Sequence, residues 1–179
     1  MFGYGSLIWR PDFTYFDTRR AYITGWARRF WQGSHDHRGT HTDPGRVATL
    51  VEAPGERCYG RAFLVEPEVF EHLDHREKNG FERYQVEICF DHARGQGVVY
   101  IAPTGNHAFL GEAPLDEMVQ QIIRCAGPSG SNIEYLLELA RTLRDLDVED
   151  AHVFELEARV LAAVPDSPGS NRRASSPAD

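Results

Sequence analysis

Arg46-Val47-Ala48-Thr49-Leu50-Val51-Glu52-Ala53-Pro54-Gly55-Glu56-Arg57-Cys58-Tyr59-Gly60-Arg61-Ala62-Phe63-Leu64-Val65 holds two runs with β character on either side of a Pro-Gly pair. Pro and Gly break regular structure and favour turns, so Pro54-Gly55-Glu56-Arg57 reads as a hairpin connection between strands at 46–53 and 58–65. Working outward, residues 21–31, 83–90 and 96–102 have the same β-branched and aromatic enrichment. Asp91 to Gly95 reads as a second hairpin connection. A short helix is expected at 67–75, where Pro67 suits the first turn and Val69, Phe70 and Leu73 share one face.

The last third changes period. Leu115, Met118, Val119, Ile122 and Ile123 recur at helical spacing over 115–126, and Gly127-Pro128 supplies a stop. Ser131-Asn132-Ile133-Glu134 fits a capping box, followed by a stripe of Leu136, Leu139, Ala140 and Leu143. A third helix is expected over 151–163, with Val153, Phe154, Val160 and Leu161 inward. Residues 165–179 are rich in Ser, Pro and Asp and are expected to be a disordered tail after one domain at 1–164. Strands first and helices later indicate an α+β fold. Five or six short strands of this kind suit a small barrel with helices packed outside it.

The chain has 179 residues, 41% hydrophobic and 26% charged, which suits one domain around a single core. No apolar run approaches the ~20 residues of a membrane-spanning helix. No charged and apolar leader precedes Phe2, so a cytoplasmic protein without membrane association is expected. Cys58, Cys89 and Cys125 are far apart and form no CxxC pair, which suits free thiols in a reducing compartment. A net charge of −8 argues against nucleic-acid binding. Arg19, Arg20, Arg28, Arg29, Arg38 and Arg46 nevertheless crowd the first quarter, enough for a locally positive pocket. The oligomeric state is open, with a monomer favoured.

Three segments have the composition to carry chemistry. Gly3-Tyr4-Gly5-Ser6-Leu7 can turn successive backbone N–H groups toward an anion, or can be a tight turn after a strand. Ser6 lacks the flanking glycines of a nucleophile elbow. In Gln32-Gly33-Ser34-His35-Asp36-His37-Arg38-Gly39-Thr40-His41, glycines bracket the histidines, and His35 and His37 would diverge in an extended strand. A polar loop shaping a pocket therefore fits better than a metal site, with Gln32 and Arg38 placed to contact a substrate amide or carboxylate. Glu77, in Leu73-Asp74-His75-Arg76-Glu77-Lys78-Asn79-Gly80, reads by spacing alone as one member of a surface charge cluster.

Taken in order, residues 2–9, 29–39, 44–50, 73–80 and 127–137 resemble the ChaC family of γ-glutamylcyclotransferases. The resemblance covers the chain from Phe2 to about Ala163. It implies a small mixed β-barrel with flanking α-helices, and cleavage of glutathione to 5-oxoproline and cysteinylglycine without metal or cofactor. It implies that Tyr4, Gly5, Ser6 and Leu7 hold the γ-glutamyl group and that Glu77 is the catalytic acid–base. Tyr135, in Asn132-Ile133-Glu134-Tyr135-Leu136, is implied near the site. Asn79 and Phe81 depart from the family pattern, in which glycine and tyrosine are common at these places. Burial is expected to raise the Glu77 pKa, with Arg76 and Lys78 pointing outward. Two alternatives remain: a cyclotransferase for other γ-glutamyl amino acids or amines, and a catalytically silent member that binds a metabolite.

Overall fold

The computed structural model describes residues 1–77 and 79–164. The chain runs through β1 (Phe2–Gly3), a 3-10 turn (Ser6–Ile8), β2 (Asp17–Ser34), β3 (Gly45–Leu64), α1 (Val69–Arg76), β4 (Glu82–Cys89) and β5 (Arg94–Ile101). It continues through α2 (Leu115–Arg124), β6 (Ala126–Gly127), β7 (Gly130–Ser131), α3 (Asn132–Asp145) and α4 (Ala151–Ala163). Strands β1 to β5 close a barrel in the order β1-β3-β2-β4-β5. The two-residue β1 makes the closure: Phe2 lies antiparallel to Ala62 of β3 and parallel to Val99 of β5. The chain's start is thereby fixed between two strands, and the glycine-rich segment leaves the barrel from a set position.

The expected hairpin at Pro54-Gly55-Glu56-Arg57 does not form. Residues 46–53 and 58–65 belong almost entirely to one 20-residue strand, β3, both halves of which pair with the 18-residue β2. Trp26 pairs with Glu52 and Thr24 with Arg57, so residues 53–56 bulge opposite the single Gly25. A second irregularity in β2, between Arg29 and Gln32, sets Phe30 and Trp31 opposite Ala48. Such a bulge bends a strand and re-aims its side chains, and this one lies beside the cavity described below. The other expected connection is present: β4 and β5 are antiparallel, with Cys89 opposite Arg94.

Helices α2, α3 and α4 pack on one another and against the barrel. Met118, Val119, Ile122, Leu136, Leu139, Ala140, Leu143, Val153 and Val160 from the expected stripes are buried; Phe154 is half-buried, Leu161 of α4 is exposed, and Leu156, outside the expected set, is fully buried. The capping box forms, with the Ser131 hydroxyl accepting from the Glu134 N–H. Helix α2 ends at Arg124, short of Gly127-Pro128, and the small β6–β7 pair follows. Helix α1 starts at Val69 rather than Pro67 and buries only Leu73 fully. Cys58, Cys89 and Cys125 are buried and free. Among the described residues no helix is long and apolar enough to cross a membrane. The disorder expected for 165–179 and the side chain of Lys78 lie outside the described residues.

Candidate active site

A cavity of about 260 Å³ opens where the N-terminal loop, the end of α1 and the start of α3 meet. Its size is slightly below the usual range for small-molecule sites, roughly 300–1,000 Å³. Tyr4, Gly5, Ser6 and Leu7 all line it. The loop is held from both sides. The Tyr4 hydroxyl donates to the Tyr100 carbonyl at 2.8 Å, and the Arg28 Nε donates to the Tyr4 carbonyl at 2.8 Å. Arg28 is buried inside the fold, where it also bonds Asp150 at 2.5 Å and the Tyr59 carbonyl. A buried guanidinium is tolerated only when its donors are satisfied, and these bonds tie the glycine loop to the N-terminus of α4. Among the described residues, the N–H groups of Gly5, Ser6 and Leu7 make no hydrogen bond to other backbone groups. A Cβ at residue 5 would stand 3.0 Å from the Tyr135 hydroxyl, so glycine permits that close approach.

Tyr135 reaches the loop from the first turn of α3. Its hydroxyl accepts from the Ala48 N–H, opposite the β2 bulge, at 3.2 Å. Trp9 and Phe30 pack edge-on against its ring. Burial pushes the Tyr135 hydroxyl up to about 12, so it keeps its proton near neutrality and can donate it to a ligand. Arg38 lies over the same ring and lines the cavity. It donates to the Ser131 carbonyl at 3.0 Å and to Glu134 at 3.1 Å.

Glu77 caps the C-terminal end of α1, with its N–H bonded to the Leu73 carbonyl. Its side chain is 17% exposed and faces the cavity, not bulk solvent. Burial raises its pKa and Arg76 opposes this, while Asp12 and Asp36 add smaller upward pushes. The carbonyl end of a helix is also an unfavourable place for a carboxylate and favours its protonation. Arg76 does not point outward as the sequence suggested. Its Nε lies 3.4 Å from Glu77 Oε1, and its other nitrogens bond Asp12 and the Ser6 hydroxyl. One arginine therefore joins the acid, the glycine loop and an aspartate 64 positions earlier.

Gln32 does not line the cavity. It is fully buried, and its amide is bonded to the Asn79 carbonyl and to Asn106. It therefore braces the turn that follows Glu77. Gly80 completes that turn at φ +87°, and a Cβ there would run into Asn106 and Gln32. Of the six early arginines only Arg38 borders the cavity; Arg28 and Arg46 are consumed by internal bonds. His37 lies at the cavity edge, where it meets Ser129 at 2.9 Å. His35 and His41 stack on each other, and among the described residues no group of three or more His, Cys, Asp or Glu is arranged to hold a metal ion. Arg10, Asp12, Asp36, Tyr100 and Ser129 also line the cavity. No local pattern in the chain singles out Asp12 or Tyr100; Asp12 is held at the site by Arg76, and Tyr100 is carried there on β5, which pairs with β1.

The arrangement joins backbone donors suited to an anion, a buried hydroxyl donor and one carboxylate of raised basicity. Comparison with known proteins bears on it directly. Residues 1–163 match the family described as ChaC-like protein. The chain is 42% identical to glutathione-specific γ-glutamylcyclotransferase 1 of Danio rerio over 92% of its own length and 89% of the relative's. It is 38% identical to glutathione-specific γ-glutamylcyclotransferase of Schizosaccharomyces pombe, over 89% of this chain and 91% of that one. A crystal structure of the yeast γ-glutamyl cyclotransferase specific to glutathione superposes with a TM-score of 0.82 at 31% identity, covering 90% of this chain and 94% of the other. With the family match running from the first residue to the end of α4, this chain belongs to the ChaC-like family.

Proposed function

We propose that this protein is a γ-glutamylcyclotransferase that degrades glutathione to 5-oxoproline and cysteinylglycine, with Glu77 as general base and acid. The observation that carries the reading is the placement of the Glu77 side chain in the cavity bordered by Tyr4, Gly5, Ser6 and Leu7. The reaction needs no external nucleophile. The substrate's α-amino nitrogen forms a bond to its own γ-carbonyl carbon, and the bond from that carbon to the cysteine nitrogen breaks. Well-oriented intramolecular attack has effective molarities of about 10⁵–10⁸ M, so holding the γ-glutamyl group folded back on itself is a large part of the catalysis.

The α-amino group must first lose a proton. Glu77 accepts it and returns it to the departing cysteine nitrogen, so the enzyme ends unchanged. An ordinary glutamate is a weak base for this task; burial strengthens it. The Gly5, Ser6 and Leu7 N–H groups hold the α-carboxylate or the oxyanion that develops on the γ-carbonyl, and the Tyr135 hydroxyl adds a donor. Preorganised donors of this kind are worth about 3 kcal/mol each in the transition state. Arg38 completes the polar wall behind Tyr135. The substrate is a small molecule, and no step calls for a cofactor.

The test is Glu77→Gln, which keeps the shape and removes the base. Release of 5-oxoproline from glutathione is expected to fall by about 10²–10⁴-fold, with glutathione binding by calorimetry largely retained. Turnover near that of the unsubstituted protein would remove Glu77 from the mechanism. Parallel assays with γ-glutamyl-alanine measure how far the preference for glutathione extends.

A further inference from the structure

The cavity is graded in depth and in charge. At its floor Tyr4, Tyr135 and Arg38 are buried; at its mouth Arg10, Asp12, Asp36 and His37 are exposed or nearly so. Among the described arginines at this site, Arg38 is paired with Glu134 and Arg76 with Asp12 and Glu77. The Asp36 carboxylate faces the neighbouring His37 ring at 3.9 Å. Arg10 lines the cavity, and its guanidinium has no hydrogen bond or ion pair with any described residue. Its backbone is nonetheless fixed. The Arg10 N–H donates to the Ser6 carbonyl at 2.9 Å, closing the turn that shapes the glycine loop, and Pro11 restricts its backbone from the other side. The loop that faces the floor and the cation at the mouth are therefore parts of one short rigid segment.

Glutathione has a matching gradient. Its γ-glutamyl head reacts beside Glu77, and its cysteinylglycine tail must leave through the mouth. That tail ends in a carboxylate two residues beyond the bond that breaks, at most about 7 Å away when extended. A γ-glutamyl amino acid ends one residue sooner, and a γ-glutamyl amine has no tail carboxylate. We propose that Arg10 is the specificity residue that pairs with the C-terminal carboxylate of the departing dipeptide and thereby selects glutathione by tail length and charge. The proposal rests on the cyclotransferase reading given above.

The experiment compares the unsubstituted protein with Arg10→Ala and Arg10→Lys on three substrates: glutathione, its glycyl ethyl ester and γ-glutamylcysteine. Loss of a charge-assisted contact at a half-open site should raise KM for glutathione about tenfold in Arg10→Ala. The effect should appear in KM rather than kcat. Arg10→Lys should recover part of it, because the charge remains and the bidentate geometry does not. With the ethyl ester, and with γ-glutamylcysteine, the proteins should have similar KM values. An unchanged KM for glutathione in Arg10→Ala overturns the proposal, and so does an equal loss on the ester. The Arg10 side chain makes no hydrogen bond or ion pair with any described residue, and a thermal melt of each variant checks that folding is intact. If the unsubstituted protein released no 5-oxoproline from glutathione, the cyclotransferase reading itself would fall, a result distinct from an active enzyme indifferent to Arg10.

Discussion

The wall of the cavity that carries Tyr135 and the wall that carries Glu77 are held in place by different forces. Helix α3 sets Leu136, Leu139, Ala140 and Leu143 into the core with no exposure, and α2 and α4 pack around them. Helix α1, eight residues long, buries only Leu73 to that degree. Its end is secured by polar contacts instead: Arg76 to Asp12 and Ser6, the Tyr100 hydroxyl to Asp74 at 2.6 Å, and Gln32 to the Asn79 carbonyl. Close packing resists displacement in every direction. A set of directional bonds fixes one geometry and fails piecemeal when a member is lost. A hydroxyl donor that must only keep its place suits the first wall. A carboxylate that must gain and lose a proton suits the second, where the apolar cluster around Leu73 is much smaller than the main core.

The largest effect on stability should come from breaking the packed wall. Leu139→Ala removes a fully buried side chain from the centre of α3 and should cost about 2–5 kcal/mol, read from chemical denaturation. At temperatures where this variant stays folded, its kcat/KM should change little, because no polar contact at the cavity is lost. A collapse of activity in the folded variant would show that the packed wall tunes the chemistry and does not only support it.

Breaking the bonded wall should reverse that pattern. Gln32→Ala leaves the Asn79 carbonyl and the Asn106 amide without their partner at a fully buried position, at a cost of about 1–3 kcal/mol in stability. The activity loss should exceed what that modest destabilisation suggests, and it should lie mainly in kcat, because the turn after Glu77 loses its brace. A variant with kcat intact and KM raised would instead make Gln32 a substrate contact, the role its sequence position suggested.

The same division explains what could be read from the chain. The packed wall was legible because its information is local: the 3.6-residue stripe of α3, the Ser131–Glu134 capping box and the short β4–β5 connection are set by neighbours in sequence. The bonded wall was not, because its partners are distant. Arg76 reads from the chain as an outward-pointing cation, yet Asp12 is brought to it across 64 positions; Arg28 reads as one contributor to a positive pocket, yet Asp150 pairs with it across 122. Pro54-Gly55 signalled a bend correctly, but a bend within a long strand and a hairpin share the same turn chemistry. The uninterrupted partner offered by β2, a long-range fact, decides between them. Glu77 itself was legible only through the resemblance. Its neighbours in sequence are charged, and its burial depends on the loop that barrel closure places over it.

The smallest expected effect is also the one most particular to the bonded wall. The folded-state pKa of Glu77 is raised above its ordinary value of 4.5, chiefly by burial and only in part opposed by Arg76. Between the ordinary value and the raised one, the folded state therefore holds more protons than the unfolded state. By linkage, stability falls as pH rises through that window. At neutral pH the ionised Glu77 is a net burden on the fold, whereas below its unfolded value the burden is absent. Glu77→Gln, which cannot ionise, should therefore be more stable than the unsubstituted protein at neutral pH, and the difference should shrink as pH is lowered toward 4.5. Thermal melts of both proteins across that range measure it directly. A glutamine variant less stable at neutral pH would mean that the contact with Arg76 outweighs burial, and the carboxylate would then be a structural ion pair poorly suited to accept a proton. Greater stability in the inactive variant would mark Glu77 as a residue kept for chemistry at the expense of the fold, on the wall where a small loss of stability is easiest to absorb.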